Sequence, residues 1–355
     1  MKEQYHILGI MSGTSLDGID LVEVDLFVSE KGLWDFVIKT CETIAYAATW
    51  KQKLTQGITN SEAELIQLDK DYTVYLSKVI LSFIKKNHIT DLDAVCSHGH
   101  TILHQPEQGV TFQIGNLPEL ANAINEQVVC DFRVQDVALG GQGAPLVPIG
   151  DRLLFSEYDY CLNLGGFANI SSEVNGKRIA YDICPVNIVL NSLVEKLGFP
   201  YDDKGNIAAS GALNEALLKR LNELDFYKQS APKSLGLEWV QDQVFPILEA
   251  SELSEKDLLR TFVEHCALQI AAQFKEEASV LITGGGAYND FLISRLKVHT
   301  TVAIVIPSEE IIEYKEALIF GLLGLLKLRN EVNCLSSVTG ANKDHSSGTV
   351  YPRKS

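Results

Sequence analysis

The residues best suited to chemistry are three glycine-rich turns and a small set of charged side chains. Gly13-Thr14-Ser15-Leu16-Asp17-Gly18 stands between two strand-like runs and leads into Ile19-Asp20. Small residues let a backbone come close to a ligand, and successive N–H groups with the Thr14 and Ser15 hydroxyls suit phosphate oxygens. Asp17 or Asp20 has the chemistry to hold a hydrated Mg²⁺, which takes one or two carboxylates together with phosphate oxygens. A hairpin turn that needs glycine for positive φ accounts for the same residues without a ligand. Gly165-Gly166-Phe167-Ala168-Asn169 occupies a matching place in the second half. Gly284-Gly285-Gly286 follows a strand and precedes a helix, whose first N–H groups favour an anion. Neither turn has the lysine of the strand-to-helix phosphate loop or the G-x-G-x-x-G spacing. Taken together, three glycine turns at strand ends suit a nucleotide.

Asp182 ends a strand ahead of Ile183-Cys184-Pro185, where a carboxylate is a candidate general base or, equally, a turn or cap residue. Arg133, in Asp131-Phe132-Arg133, can clamp a carboxylate or phosphate, or pair with a structural acid. Glu316 reads as opening a helix, where the helix dipole alone explains an acid. His98-x-His100-x-x-x-His104 has a metal-like spacing, but no nearby Cys or Glu completes a ligand set, so packing or substrate contact is the better reading. Cys184 reads as a buried thiol.

Two similar halves must position these groups. The first runs strand (6–10), glycine turn, strand (19–28) and strand (36–41), the spacing of an antiparallel meander. A helix follows, started by the capping box Ser61-x-x-Glu64, with Leu65, Leu68, Tyr72, Leu76, Val79 and Phe83 on one face. A buried strand at 93–97, a helix at 118–125 and a strand at 128–130 complete it. The second half repeats the opening: strand (160–164), glycine turn, strand (169–174), Asn175-Gly176 hairpin turn and strand (178–182). A helix from Asn187, a helix capped by Ser254-x-x-Asp257 and a strand at 280–283 follow. The expectation is an α/β chain of two mixed five-stranded sheets with flanking helices, facing each other across a cleft. The boundary is expected near Arg133, giving domains 1–133 and 134–355, with the C-terminal segment returning to the first.

Composition narrows the function. The 355 residues are 46% apolar and 21% charged, ordinary for a globular protein. A net charge of -16 argues against a nucleic-acid partner, which demands a basic face. The most apolar late run, 317–328, is too short to span a membrane and carries Lys327, so it reads as a buried helix. The opening residues carry no signal-peptide pattern, and seven scattered cysteines without a C-x-x-C read as reduced thiols in a cytoplasmic enzyme.

Several of these motifs together resemble a known family. Gly9-Ile10-Met11-Ser12-Gly13-Thr14-Ser15-Leu16-Asp17-Gly18-Ile19-Asp20 is similar to the opening signature of the anhydro-N-acetylmuramic acid kinases. Asp131-Phe132-Arg133, Gly140 to Pro148, Asn163-Leu164-Gly165-Gly166, Pro232-Lys233-Ser234, Gly284-Gly285-Gly286, Lys315-Glu316-Ala317 and Val338-Thr339-Gly340-Ala341 continue it in order. The resemblance implies two ribonuclease-H-like (actin-like ATPase) domains, ATP and Mg²⁺, and a homodimer. It implies hydrolysis of the anhydro bridge of 1,6-anhydro-N-acetylmuramic acid with phosphorylation of O6, in peptidoglycan recycling. It further implies Asp182 as base and Gly13, Thr14, Ser15, Leu16, Asp17, Gly18, Ile19, Asp20, Gly165, Gly166, Gly284, Gly285 and Gly286 on the nucleotide. Asp17 and Asp20 would hold the metal through water, and His98, Arg133, Asn187 and Glu316 the sugar. Where the family usually has Asp-Thr-Gly-Pro-Gly-Asn, this chain has Asp182-Ile183-Cys184-Pro185-Val186-Asn187, with bulkier apolar residues. Two other readings stand beside this one: a kinase for another amino sugar or hexose, and a non-catalytic binding protein switched by ATP.

Overall fold

A computed structural model describes residues 2–354. The chain divides into two compact units, Met1–Leu154 with Tyr314–Ser355, and Phe155–Glu313. The expected boundary at Arg133 therefore lies inside the first unit. The cause is Asp136, fully buried three residues later. Its carboxylate accepts from the Gly143 N–H (2.7 Å) and the Thr339 hydroxyl (2.7 Å), tying the segment after Arg133 to the C-terminal segment of the same unit.

The first unit is built on β1 (Gln4–Ser12), β2 (Gly18–Val28), β3 (Trp34–Ala45), β4 (Ala94–Gln105), β5 (Val110–Ile114) and β6 (Val128–Cys130). The second is built on β7 (Tyr160–Leu164), β8 (Phe167–Val174), β9 (Lys177–Pro185), β10 (Ser279–Thr283) and β11 (Ala303–Val305). The last strand, β12 (Thr349–Tyr351), returns to pair antiparallel with β6.

In each unit the first three strands form an antiparallel meander, and the next strand joins parallel to the first. The orders β6-β4-β1-β2-β3 and β11-β10-β7-β8-β9 are the same arrangement read twice. This is the duplicated pattern expected from the sequence, and the ribonuclease-H-like arrangement that the family resemblance implies. The first sheet has seven strands rather than five. β4 runs on past the expected strand at 93–97 because Gly109, at φ 72°, turns the chain back and lets β5 pair along it. β12 supplies the other extra strand.

The first core forms where helix Glu62–Lys86 lays Leu68, Tyr72, Leu76, Val79 and Phe83 on Leu8, Ile10, Leu21 and Val95 of the sheet. Ser61 and Glu64 make the expected capping box at its start. Alternation along β1 turns Ile7 and Gly9 to the opposite face, where helix Glu309–Leu328 packs. That approach is close enough to exclude side chains. A Cβ on Gly9 would stand 2.1 Å from the Ala317 carbonyl oxygen, and one on Gly324 would stand 2.2 Å from Cys96 Sγ. The apolar run 317–328 is thus a buried helix, and among the described residues no helix is long and apolar enough to cross a membrane.

The second core gathers the apolar residues of β7 to β10 with helices Asn187–Glu195 and Glu255–Ala271. Ser254 Oγ caps the latter by accepting from the Asp257 N–H at 3.3 Å.

Gly9→Ala is expected to destabilise the protein by at least about 2 kcal/mol, because the obstacle is backbone that cannot rotate away. Urea unfolding of the variant beside the native protein measures it.

Candidate active site

In the first unit, the turn after β1 is closed by the Leu16 N–H donating to the Gly13 carbonyl at 3.3 Å. Leu16 has φ 60° and folds its side chain toward the core, leaving Thr14, Ser15 and Asp17 exposed. Beneath the turn lies a chain of buried polar groups. Ser12 Oγ is 2.6 Å from the Tyr46 hydroxyl and 2.8 Å from His100 Nδ1, and the Tyr46 and Tyr72 hydroxyls are 2.5 Å apart. Burial lowers His100 to about 4 and raises Tyr46 to about 12, so this chain is uncharged at neutral pH and pins Ser12 without a net charge.

Not every residue of 13–20 faces outward. Ile19 is fully buried in the core, and a Cβ on Gly18 would stand 2.6 Å from the Ile44 carbonyl, so both serve the fold. Gly13 differs: a Cβ there would meet nothing of the protein nearer than 3.4 Å. Its smallness leaves open space beside the turn. Asp20 is half-buried and its Oδ1 accepts from the Thr43 hydroxyl at 2.6 Å.

Three segments of the first unit bring a second group together. Arg133 follows β6 and donates from Nε to His98 Nε2 (2.8 Å) on β4 and from Nη1 to the Gly143 carbonyl (2.5 Å). His98 Nδ1 lies 2.9 Å from the Gly99 carbonyl, which fixes the proton on Nδ1 and leaves Nε2 as acceptor. Burial, with Arg133 adding to it, holds His98 well below its usual range, hence neutral. Phe320 of helix Glu309–Leu328 packs against the His98 ring at 4.6 Å and lies under the guanidinium. Burial lowers even Arg133, to about 10.

His98 is 3% exposed with both ring nitrogens engaged, so it orients Arg133 rather than presenting itself to a ligand. His100 and His104 turn to Ser12 and Thr111, so the three histidines have separate partners.

Glu316 lies seven residues inside its helix, which starts at Glu309, so the expectation that it opens a helix is corrected and the dipole does not account for it. It keeps solvent access, yet the protein around it raises its carboxyl above the ordinary value, with Arg133 and Lys315 opposing. Its neighbour Lys315 is buried and pairs with Asp151 at 2.6 Å, an ion pair that fixes this turn of the helix.

In the second unit, Asp182 sits on β9 beside a bulge. Ala168 pairs with Cys184 and Asn169 with Asp182, so Ile183 is the extra residue. The bulge turns both Ile183 and Cys184 inward, at 1% and 0% exposure, and leaves Asp182 half-buried. Val186 is also in the core. The three apolar replacements within 182–187 are therefore packing residues.

Asp182 is held by the segment after Pro232. The Leu235 N–H donates to Oδ2 at 2.8 Å, and the Asp182 N–H donates to the Lys233 carbonyl at 3.0 Å. Burial raises its carboxyl, and the Leu235 hydrogen bond partly offsets that. The sequence reading missed Leu235 because a backbone donor carries no residue-type signal.

The glycine turns of this unit divide like those of the first. Cβ atoms on Gly165, Gly166 and Gly285 would meet nothing nearer than 3.4, 3.8 and 4.0 Å. Gly284 and Gly286 are required by the fold, since Cβ atoms there would stand 2.5 Å from Asn163 Oδ1 and 2.6 Å from Leu164 Cβ. The Gly165 and Gly166 carbonyls accept the N–H groups of Asn187 (3.3 Å) and Ile188 (3.2 Å), and Asn187 Nδ2 donates to the Leu164 carbonyl at 3.3 Å. Asn187 thus braces the turn. Gly284 to Gly286 do not lead straight into a helix: a short 3₁₀ turn, Gly285–Tyr288, intervenes, and Asn289 caps helix Asp290–His299 through the Leu292 N–H. The anion site expected at that helix start is filled by the Asn289 side chain.

The sequence model of the family described as anhydro-N-acetylmuramic acid kinase matches residues 5–353. The chain is 34% identical to the anhydro-N-acetylmuramic acid kinase of Mannheimia succiniciproducens, covering 99% of this chain and 100% of that protein. It is 33% identical to that of Vibrio cholerae, covering 99% of each. Among solved structures it is similar to component A of (R)-2-hydroxyglutaryl-CoA dehydratase from Acidaminococcus fermentans, at 14% identity and a TM-score of 0.48, covering 92% of this chain and 99% of that one.

His98→Ala is expected to cost about 1–3 kcal/mol of stability, because it strands the Nε donor of the half-buried Arg133 in the place of a buried ring. Chemical unfolding of the variant tests this.

Proposed function

We propose that this chain, which belongs to the anhydro-N-acetylmuramic acid kinase family, converts 1,6-anhydro-N-acetylmuramic acid, ATP and water into N-acetylmuramic acid 6-phosphate and ADP. The observation that carries the mechanism is Asp182: a half-buried carboxylate, raised by burial and fixed through one oxygen by the Leu235 N–H. Water is a poor nucleophile, and a carboxylate drawn toward neutral pH is a stronger base than an exposed one.

In this reading Asp182 accepts a proton as water attacks the anomeric carbon. The bond from that carbon to the bridging oxygen breaks, and the electron pair stays on O6. O6 bonds to the γ-phosphorus as the bond to the β-phosphate oxygen breaks, releasing ADP. The open space at Gly13, Gly165, Gly166 and Gly285 supports their lying against the nucleotide, with Thr14 and Ser15 offering hydroxyls to phosphate oxygens. The exposed Asp17 and half-buried Asp20 fit water-mediated Mg²⁺ binding, which would neutralise charge on the transferring phosphoryl group. Arg133 would hold the lactyl carboxylate of the sugar, with His98 setting its direction, and Glu316 a sugar hydroxyl or the water. A cytoplasmic homodimer working in peptidoglycan recycling is part of the same proposal.

Asp182→Asn is expected to lower kcat by about 10²–10⁴-fold, read by ADP release with the anhydro sugar, ATP and Mg²⁺. The sign of the stability effect is opposite. A carboxyl whose folded pKa is raised above its unfolded value weakens the fold as pH rises through it, so the native protein carries that cost at pH 7. The Asn variant, whose amide oxygen still accepts from Leu235, should be at least as stable there. A variant that is both inactive and unfolded would not support the assignment; an active one would contradict it. The acid limb of the native rate profile should lie above an ordinary aspartate's range.

A further inference from the structure

Away from the groups assigned to ATP and sugar, three side chains converge in the interior of the first unit. Asp136, Cys334 and His345 each offer one ligand atom, and those atoms lie within 4.8 Å of one another. Cys334 Sγ is 3.0 Å and His345 Nε2 is 3.6 Å from the same carboxylate oxygen, Asp136 Oδ1. The residues are 0%, 1% and 6% exposed, so bulk water does not solvate them.

The histidine is the informative member. Its Nδ1 lies 3.1 Å from the Lys343 carbonyl, which places the proton of a neutral ring on Nδ1. Nε2 then carries a lone pair, has no hydrogen-bond partner, and faces a carboxylate. Two electron-rich atoms aimed at each other in a dry interior need a cation between them, or a proton on the ring. The thiol aimed at the same oxygen favours the cation, because thiolate, imidazole and carboxylate together are a zinc donor set.

Three further features fit. A divalent ion with one thiolate, one carboxylate and a neutral imidazole has zero net charge, the condition a buried site favours. The surrounding hydrogen bonds are those of a metal site: His345 donates its other N–H to a carbonyl, while the Thr339 hydroxyl (2.7 Å, to Oδ1) and the Gly143 N–H (2.7 Å, to Oδ2) steady the carboxylate. The backbone is prepared as well. Cys334 and His345 pair as an antiparallel bridge with both N–H···O distances 3.1 Å, which sets two ligands side by side at the ends of a short loop.

We propose that Asp136, Cys334 and His345 bind one structural zinc ion, with a water or the Thr339 hydroxyl as fourth ligand. The ion would lock the C-terminal segment to the Gly140–Gly143 loop, whose Gly143 carbonyl receives Arg133. It stands apart from the Mg²⁺ of the proposed reaction and does not depend on that reading.

The test is metal content. Untagged full-length protein, expressed in zinc-supplemented medium and exhaustively dialysed, should contain about one zinc per chain by elemental analysis. Cys334→Ser and His345→Phe should each retain less than about a tenth of that, with a lowered unfolding temperature. Growth with cobalt should give the native protein a thiolate-to-cobalt absorption band that Cys334→Ser lacks. Native protein with less than about a tenth of an equivalent of zinc and no cobalt band would overturn the proposal. Zinc retained equally by both variants would overturn it too. Because the native protein's own content decides, a variant that fails to fold leaves the test intact.

Discussion

The proposed chemistry rests on a single hydrogen bond, from the Leu235 N–H to Asp182 Oδ2 at 2.8 Å. A carboxylate losing water contacts tends to take up a proton or swing toward solvent. Here one oxygen is fixed by the backbone, so the group stays in place and stays ionisable while burial raises its basicity. Much of the second unit serves that arrangement. The bulge at Ile183 frees Asp182 from the inward alternation of β9, and Cys184 and Val186 fill the core behind it. The hydrogen bond from the Asp182 N–H to the Lys233 carbonyl brings the Leu235 donor within reach.

The first unit uses the opposite strategy. Its groups are positioned by close packing. Gly9 lets helix Glu309–Leu328 settle directly on β1, and Phe320 then lies against His98 and Arg133. The same helix presents Glu316 with its neighbour Lys315 locked to Asp151. The phosphate-binding candidates stand above a buried, uncharged chain of Ser12, Tyr46, Tyr72 and His100 that leaves the turn little freedom. Glycines therefore do two separate jobs in this protein. Gly9, Gly18, Gly284, Gly286 and Gly324 make room for the protein itself, whereas Gly13, Gly165, Gly166 and Gly285 leave room for something else.

That division explains what was legible in the sequence. The meander of each half, the capping box at Ser61, the N-cap at Ser254 and the strand ends at the glycine turns could be read from periodicity and turn chemistry. The two jobs of glycine could not, because a one-letter pattern does not say what lies opposite a missing Cβ. Ile183, Cys184 and Val186 stood out in the sequence as bulkier apolar residues, and that they are core residues could not be read there, since a bulge cannot be placed from one strand alone. The boundary near Arg133 fell short because Asp136, Thr339 and Gly143 join across some two hundred residues of sequence, beyond any local signal. Cys334 and His345 drew no notice for the same reason: their neighbours are spatial.

The most direct test of the account is the fate of the water oxygen. The protein is incubated with ATP, Mg²⁺ and 1,6-anhydro-N-acetylmuramic acid in ¹⁸O-labelled water, with mass spectrometry of the product stopped early. The account predicts a 6-phosphorylated sugar with one ¹⁸O on the anomeric carbon and none in the phosphoryl group. Label in the phosphoryl group, or a phosphorylated sugar with unlabelled anomeric oxygen, would contradict the attack on carbon that Asp182 is held to assist.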